Sequence, residues 1–186
     1  MIYNLPETLS VSGKEYAIRT DYRVILDAIS ALNDPDLEPI EKAEACVRII
    51  FPDWKKIDNH GEAYSQCLWF IACGEEDKPE RKKPRIMDWE QDFNLIIPPV
   101  NGVLGFDCRR NQPLHWWSFI AAYYEIGECV FSCVTNIRQK LARGKPLDKW
   151  EREYLAEHGD IIRLKRRVSA EEQAEIDDIL GGDVYG

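Results

Sequence analysis

Residues 8–32 read TLSVSGKEYAIRTDYRVILDAISAL, and a change of period inside this stretch decides the fold class. Thr8 to Val11 and Lys14 to Ile18 alternate apolar and polar residues around Ser12-Gly13, a two-residue break that suits a tight hairpin turn. From Asp21 the period lengthens. Tyr22, Ile25, Leu26, Ile29 and Leu32 recur at helical spacing behind a Thr20 or Asp21 cap. The hairpin is the only β element the pattern predicts, and the rest of the chain reads as helices and their connections.

Working outward, Pro39 suits the first position of a second helix carrying Ile40, Ala43, Val47 and Ile50 on one face, until Pro52 stops it. Asn59, with Glu62 three residues later, caps a third helix that carries Ala63, Cys67, Phe70 and Ile71 to a Gly74 stop. Glu75 to Arg85 then holds nine charged residues and two prolines, with nothing to bury. That composition reads as a solvated linker.

Helical spacing resumes with Trp89, Phe93, Ile96 and Ile97 behind Asp88, and Pro98-Pro99 is expected to interrupt it, leaving residues 100 to 111 irregular or as a short broken helix. Leu114 to Ile126 is the most apolar segment, with Trp116, Trp117, Phe119, Ile120, Tyr123 and Tyr124 covering nearly every face of a helix. After Gly127, Val130, Val134, Ile137 and Leu141 form one stripe before Gly144-Lys145-Pro146. Asp148 caps a helix with Trp150, Tyr154 and Leu155 that ends near Gly159, and Ile161, Ile162 and Leu164 continue in a short basic piece. Ser169-x-x-Glu172 is a capping box for a last helix carrying Ala174, Ile176, Ile179 and Leu180.

The fold class is therefore mostly α: an N-terminal β-hairpin followed by two small helical lobes. The division runs 1–74 for the hairpin and three-helix lobe, 75–87 for the charged linker, 88–168 for the aromatic-rich lobe, and 169–186 for an acidic C-terminal helix and tail.

The chain has 186 residues with 45% hydrophobic and 31% charged, enough for a real core. Its net charge of -9 argues against wrapping nucleic acid, because phosphate backbones call for basic surface. The charge is uneven: residues 1–135 carry -8, residues 136–167 carry +5, and residues 168–186 carry -6. No stretch approaches the apolar length of a membrane span, and Met1 to Pro6 lacks the basic start and apolar run of an export signal, so a cytoplasmic protein is expected.

The six cysteines lie at 46, 67, 73, 108, 129 and 133, without the closely spaced pairs of a zinc site. Cys129 and Cys133 sit among Val130, Phe131, Val134 and Ile137, where a reduced thiol behaves as a small hydrophobe. His60, His115 and His158 are isolated from one another and from any nucleophile motif. A metal-dependent nuclease would need clustered acids such as Asp88, Glu90 and Asp92, but Glu90 points away from the face the other two share. All three also belong in a first helical turn, where acids complement the dipole. No catalytic residue, metal or cofactor is expected.

Leu114-His115-Trp116-Trp117-x-Phe119, preceded by the Trp89 to Ile97 helix and followed by Ile137-Arg138-x-Lys140-Leu141, resembles the gp-fifteen family of tailed-phage and prophage proteins. Leu5-Pro6, the hairpin and the Asp21 to Leu32 helix fit as well, so the resemblance covers Leu5 to Tyr154. Members are similar in gene position to the tail assembly chaperones of siphophages, encoded near the tape measure protein. The resemblance implies a non-catalytic protein of the host bacterial cytoplasm that keeps the long helical tape measure protein soluble and helps the major tail protein polymerise around it. A structural tail or head-tail subunit is the alternative. Self-association is a further expected property, and nucleic acid and membranes are not expected partners.

Such a chaperone needs exposed apolar surface with charge around it. Trp116, Phe119 and Tyr123 share one helix face, and Leu114, Trp117, Ala121 and Tyr124 the neighbouring one. Both faces can be core, or one can be left for a client. The residues assigned to partner binding are Trp116, Phe119 and Tyr123, joined by Arg138 and Lys140, with Trp117 assigned to the core.

Overall fold

The computed structural model describes residues 4–75, 84–110 and 112–174. Most of the linker expected at Glu75 to Arg85, and Ile176, Ile179 and Leu180 of the last predicted helix, lie outside the described residues. Among the described residues the chain is mostly helical, with a two-stranded antiparallel hairpin leading into eight α-helices, one short 3-10 helix and the start of a further helix at Ala170. It divides into two compact units.

One unit takes its described residues from 7–19, 24–68 and 166–174. Strand β1 (Thr8–Val11) pairs with β2 (Lys14–Ala17), Leu9 standing opposite Tyr16. The turn between them puts Ser12 and Gly13 at φ 51° and 75°, the two left-handed positions that a two-residue hairpin needs. Serine at the first of these is strained, and Glu62 holds it by accepting hydrogen bonds from the Ser12 N–H and Oγ, each at 3.0 Å. Helix α1 (Tyr22–Leu32) is followed by α2 (Pro39–Ile50), which Glu38 and Glu41 close with a reciprocal capping box.

The buried residues of α2 are Cys46, Val47 and Ile50. Ile40, expected on the same apolar face, is instead exposed, because it sits in a first turn that carries none of the buried residues. After the 3-10 helix (Trp54–Lys56), α3 (His60–Ile71) starts from Asn59, whose Oδ1 accepts the Glu62 N–H. Cys46 and Cys67 are fully buried, and the hydrogen bond between their thiols, followed by burial, pushes the Cys67 pKa far up. Helix begins again at Ala170, behind a capping box between Ser169 and Glu172.

The other unit takes its described residues from 4–6, 20–23 and 69–165. It holds the end of α3, then α4 (Trp89–Leu104), α5 (Trp116–Tyr124), α6 (Val130–Ala142), α7 (Lys149–Glu157) and the single turn α8 (Gly159–Ile162). The expected break at Pro98-Pro99 does not occur. Helix α4 runs through both prolines to Leu104 and ends at Gly105, φ 75°. The missing N–H groups cost about 3 kcal/mol or more in a helix interior. Ile96, Ile97 and Val100 are all buried around the prolines, each contributing about 1.5 to 3 kcal/mol, and this outweighs the loss.

Besides the hairpin there is one isolated antiparallel bridge among the described residues, Asp21 to His115. It sets the starts of α1 and α5 side by side: Tyr22 N–H donates to Leu114 O at 2.9 Å, and Trp116 N–H to Thr20 O at 2.7 Å. Asp21, of the two residues expected, is the cap. Its Oδ1 accepts the Arg23 N–H and its Oδ2 the Leu114 N–H.

Candidate interaction surface

Helix α5 is where the sequence places the partner-binding aromatics, and its start explains their fate. His115 caps the helix by accepting the Trp117 N–H at Nδ1, 3.1 Å, which leaves Nε2 to carry the proton and donate to Pro6 O at 3.0 Å. The two indoles then turn back onto the end of α3. Trp116 Nε1 donates to Ile71 O and Trp117 Nε1 to Phe70 O, both at 2.9 Å. Two carbonyls of a helix terminus, which have no intrahelical partner, are satisfied in this way.

The assignment of an exposed face to Trp116, Phe119 and Tyr123 is therefore corrected. Trp116 is 2% exposed and Phe119 is fully buried. Phe119 stacks on Tyr22 with ring centroids 4.4 Å apart, and Trp89 meets Trp116, Phe119 and Tyr123 at 5.9, 6.1 and 5.1 Å. Tyr123 is half-buried against Trp89 and Phe131, and burial, then the neighbouring Tyr124 and Asp92, raise its phenol pKa to about 12. Trp117, assigned to the core, is the half-buried one of the pair, between Trp69 and Phe70. The apolar spacing of α5 is legible in its sequence and its direction is not, because nothing local to the helix announces that Tyr22 and Trp89 arrive from elsewhere in the chain to cover the Trp116 side.

Arg138 is also buried. Its five N–H donors are all used: two on the Asp92 carboxylate, and the others on the carbonyls of Ile86, Ile161 and Ile162. Lys140 pairs with Glu151, which also accepts the Asp148 N–H and so closes the cap of α7. Of the three acids considered for a metal, Asp88 and Asp92 are held in caps and ion pairs. Asp92 is occupied by Arg138 and the Asp88 N–H, while Asp88 accepts from Glu90 and Gln91 and pairs with Arg85. Among the described residues no group of three His, Cys, Asp or Glu side chains is placed to hold a metal ion.

This unit exposes Leu5, Val103, Phe106, Tyr124 and Val130, and also a pair at the end of α6 and the start of α7. Leu141 is 46% and Trp150 53% exposed, Trp150 backed by a stack on Tyr154 at 5.2 Å. Arg143, Lys145, Lys149 and Arg152 are exposed in the same stretch of chain. The only ion pair any of these four makes among the described residues is Lys149 with Glu153, at 3.9 Å. Lys149 and Arg152 occupy the first turn of α7, the end of a helix where the dipole disfavours cations. Cations at this end of a helix do little for folding, and the indole next to Lys149 in the chain is open to solvent. At the α5 end, Tyr124 is 78% exposed.

Residues 1–164 match the protein family described as Bacteriophage Gp15 protein. The chain belongs to that family. Gp15 family membership points to a phage structural or assembly protein. No curated protein and no solved structure matches the chain. Among the described residues, no helix is long and apolar enough to cross a membrane.

Proposed function

We propose that this Gp15 family chain is a non-catalytic tail assembly chaperone of the host bacterial cytoplasm, binding the tape measure protein and promoting assembly of the major tail protein around it. The observation that carries the reading is the family match over residues 1–164. The geometry adds support of two kinds. The buried charged side chains Asp88, Asp92, Arg138 and Glu151 are committed to caps and ion pairs that hold helices together. The exposed groups at the α6 to α7 junction combine an aromatic anchor with a charged rim, which is the composition of a binding surface.

Coexpression with the tape measure protein of the same phage tests the reading. The tape measure protein is expected to shift from the insoluble to the soluble fraction and to copurify with the chain, and purified virions are expected to lack the chain. A tape measure protein that stays insoluble would overturn the chaperone. Finding the chain as a stoichiometric virion component would replace it with a structural subunit.

A further inference from the structure

Residues 140–152 contain five basic and two acidic side chains, a local excess of three positive charges in a chain of net charge -9. Both acids are already spent: Asp148 Oδ1 accepts the Glu151 N–H, and Glu151 is buried against Lys140. Lys149 also pairs with Glu153 at 3.9 Å, so Arg143, Lys145 and Arg152, exposed in the same stretch of chain as Leu141 and Trp150, keep the net charge of the junction positive. A partner for this surface must be acidic and must bring apolar side chains of its own. Nucleic acid answers only the first requirement, and the negative charge of the rest of the molecule repels it.

One segment of the chain itself has both properties. Residues 169–186 carry six acidic and no basic side chains, and Ile176, Ile179 and Leu180 stand at helical spacing among Glu175, Asp177 and Asp178. We propose that the α6 to α7 junction of one copy receives the acidic segment 169–186 of a second copy, with Trp150 and Leu141 meeting Ile176, Ile179 and Leu180 inside a rim of ion pairs. The two surfaces are different patches of the same molecule, so the contact is head-to-tail and propagates into a ring or an open array. This gives the family's assembly role a way to place several copies along an extended client, although the contact itself does not depend on that client.

A charge swap in the full-length chain tests the contact. Analytical ultracentrifugation of the native protein is expected to show mass rising with concentration at low salt and falling at high salt, because exposed ion pairs are screened. Two variants are compared with it. The first carries Arg143→Glu, Lys145→Glu, Lys149→Glu and Arg152→Glu. The second carries Glu175→Lys, Asp177→Lys and Asp178→Lys. Each alone is expected to associate at least about tenfold more weakly than the native chain. Mixed together they are expected to associate again, because the unchanged basic junction of the second variant meets the unchanged acidic segment of the first.

All seven changes fall on exposed residues or outside the described ones, and circular dichroism checks that each variant stays folded. Trp150→Ala is expected to weaken association at high salt, where the charges no longer hold the copies together. A chain that is monomeric at every concentration, or whose association ignores these changes, would overturn the proposal. So would a mixture that fails to reassociate. Loss of association with coexpression intact would confirm the contact and show that the client binds elsewhere.

Discussion

The guanidinium of Arg138 in α6 and the carboxylate of Asp92 in α4 form a two-bonded pair, Nη1 to Oδ2 at 2.6 Å and Nη2 to Oδ1 at 2.8 Å, with both side chains almost wholly out of water. The remaining donors of Arg138 reach the carbonyls of Ile161 and Ile162 at α8 and of Ile86 ahead of α4. One side chain thus joins three helices through groups that would otherwise be buried unsatisfied. Around it, Val134, Ile137 and Ile162 form a buried apolar cluster with Leu95, Tyr154, Leu155 and Ile161 packed against it.

Breaking this pair from one side is expected to be far costlier than replacing it. Asp92→Ala leaves a buried cation and should lower the urea unfolding free energy by about 3 to 5 kcal/mol. Arg138→Lys should also destabilise strongly, because one ammonium cannot reach five acceptors in a planar fork. The double variant Asp92→Leu, Arg138→Met should be less damaging than Asp92→Ala alone. A double variant worse than either single change would show that Arg138 acts through the carbonyls rather than through Asp92.

The two tryptophans of α5 separate by burial. Trp116→Ala removes a buried ring that meets Trp89 and Phe119 and is expected to cost about 3 to 5 kcal/mol. Trp117→Phe keeps an aromatic ring near Phe70 but removes the bond to its carbonyl, and should cost about 1 kcal/mol in the same measurement. Equal losses would contradict the difference in burial between the two rings.

What the sequence makes legible is local. The hairpin is readable because Ser12-Gly13 interrupts a period of two, and α7 because Asp148 marks its cap. Expectation and structure part where distant residues decide. Pro98-Pro99 reads as a stop, and only the burial of Ile96, Ile97 and Val100 keeps the helix going. Arg138 reads as a surface cation in a basic stretch, and its partner lies 46 residues away on another helix. The exposed junction is visible in the sequence only as a basic segment. Trp150 stands out from it while Glu151, the next residue, is buried against Lys140.

Helix α4 offers a test of that tertiary override. Pro98 is exposed, so Pro98→Ala adds a backbone donor without disturbing the buried face. Thermal unfolding is expected to move upward, by an amount equivalent to about 1 kcal/mol or more. A drop in stability would mean that the helix has adapted to proline at this point, and that its surroundings depend on the resulting shape.

Acid acts on the cap at Asp21. Burial works to raise the pKa of this carboxyl, but hydrogen bonds from the Arg23 side chain, the Arg23 N–H and the Leu114 N–H outweigh it, and the net shift is downward. A carboxylate whose pKa is lower folded than unfolded binds fewer protons in the native state. Its stabilisation is therefore complete above the ordinary carboxylate value of about 3.9 and disappears as pH falls through the depressed native value. Asp21→Asn keeps a capping oxygen but loses the charge that pairs with Arg23. The variant should be less stable than the native chain at neutral pH, and the gap should close in strong acid, when the native carboxylate is protonated too. Urea titrations of both proteins across that range measure the gap. A difference independent of pH would show that Asp21 holds the starts of α1 and α5 together by its shape and hydrogen bonds alone, without a contribution from its charge.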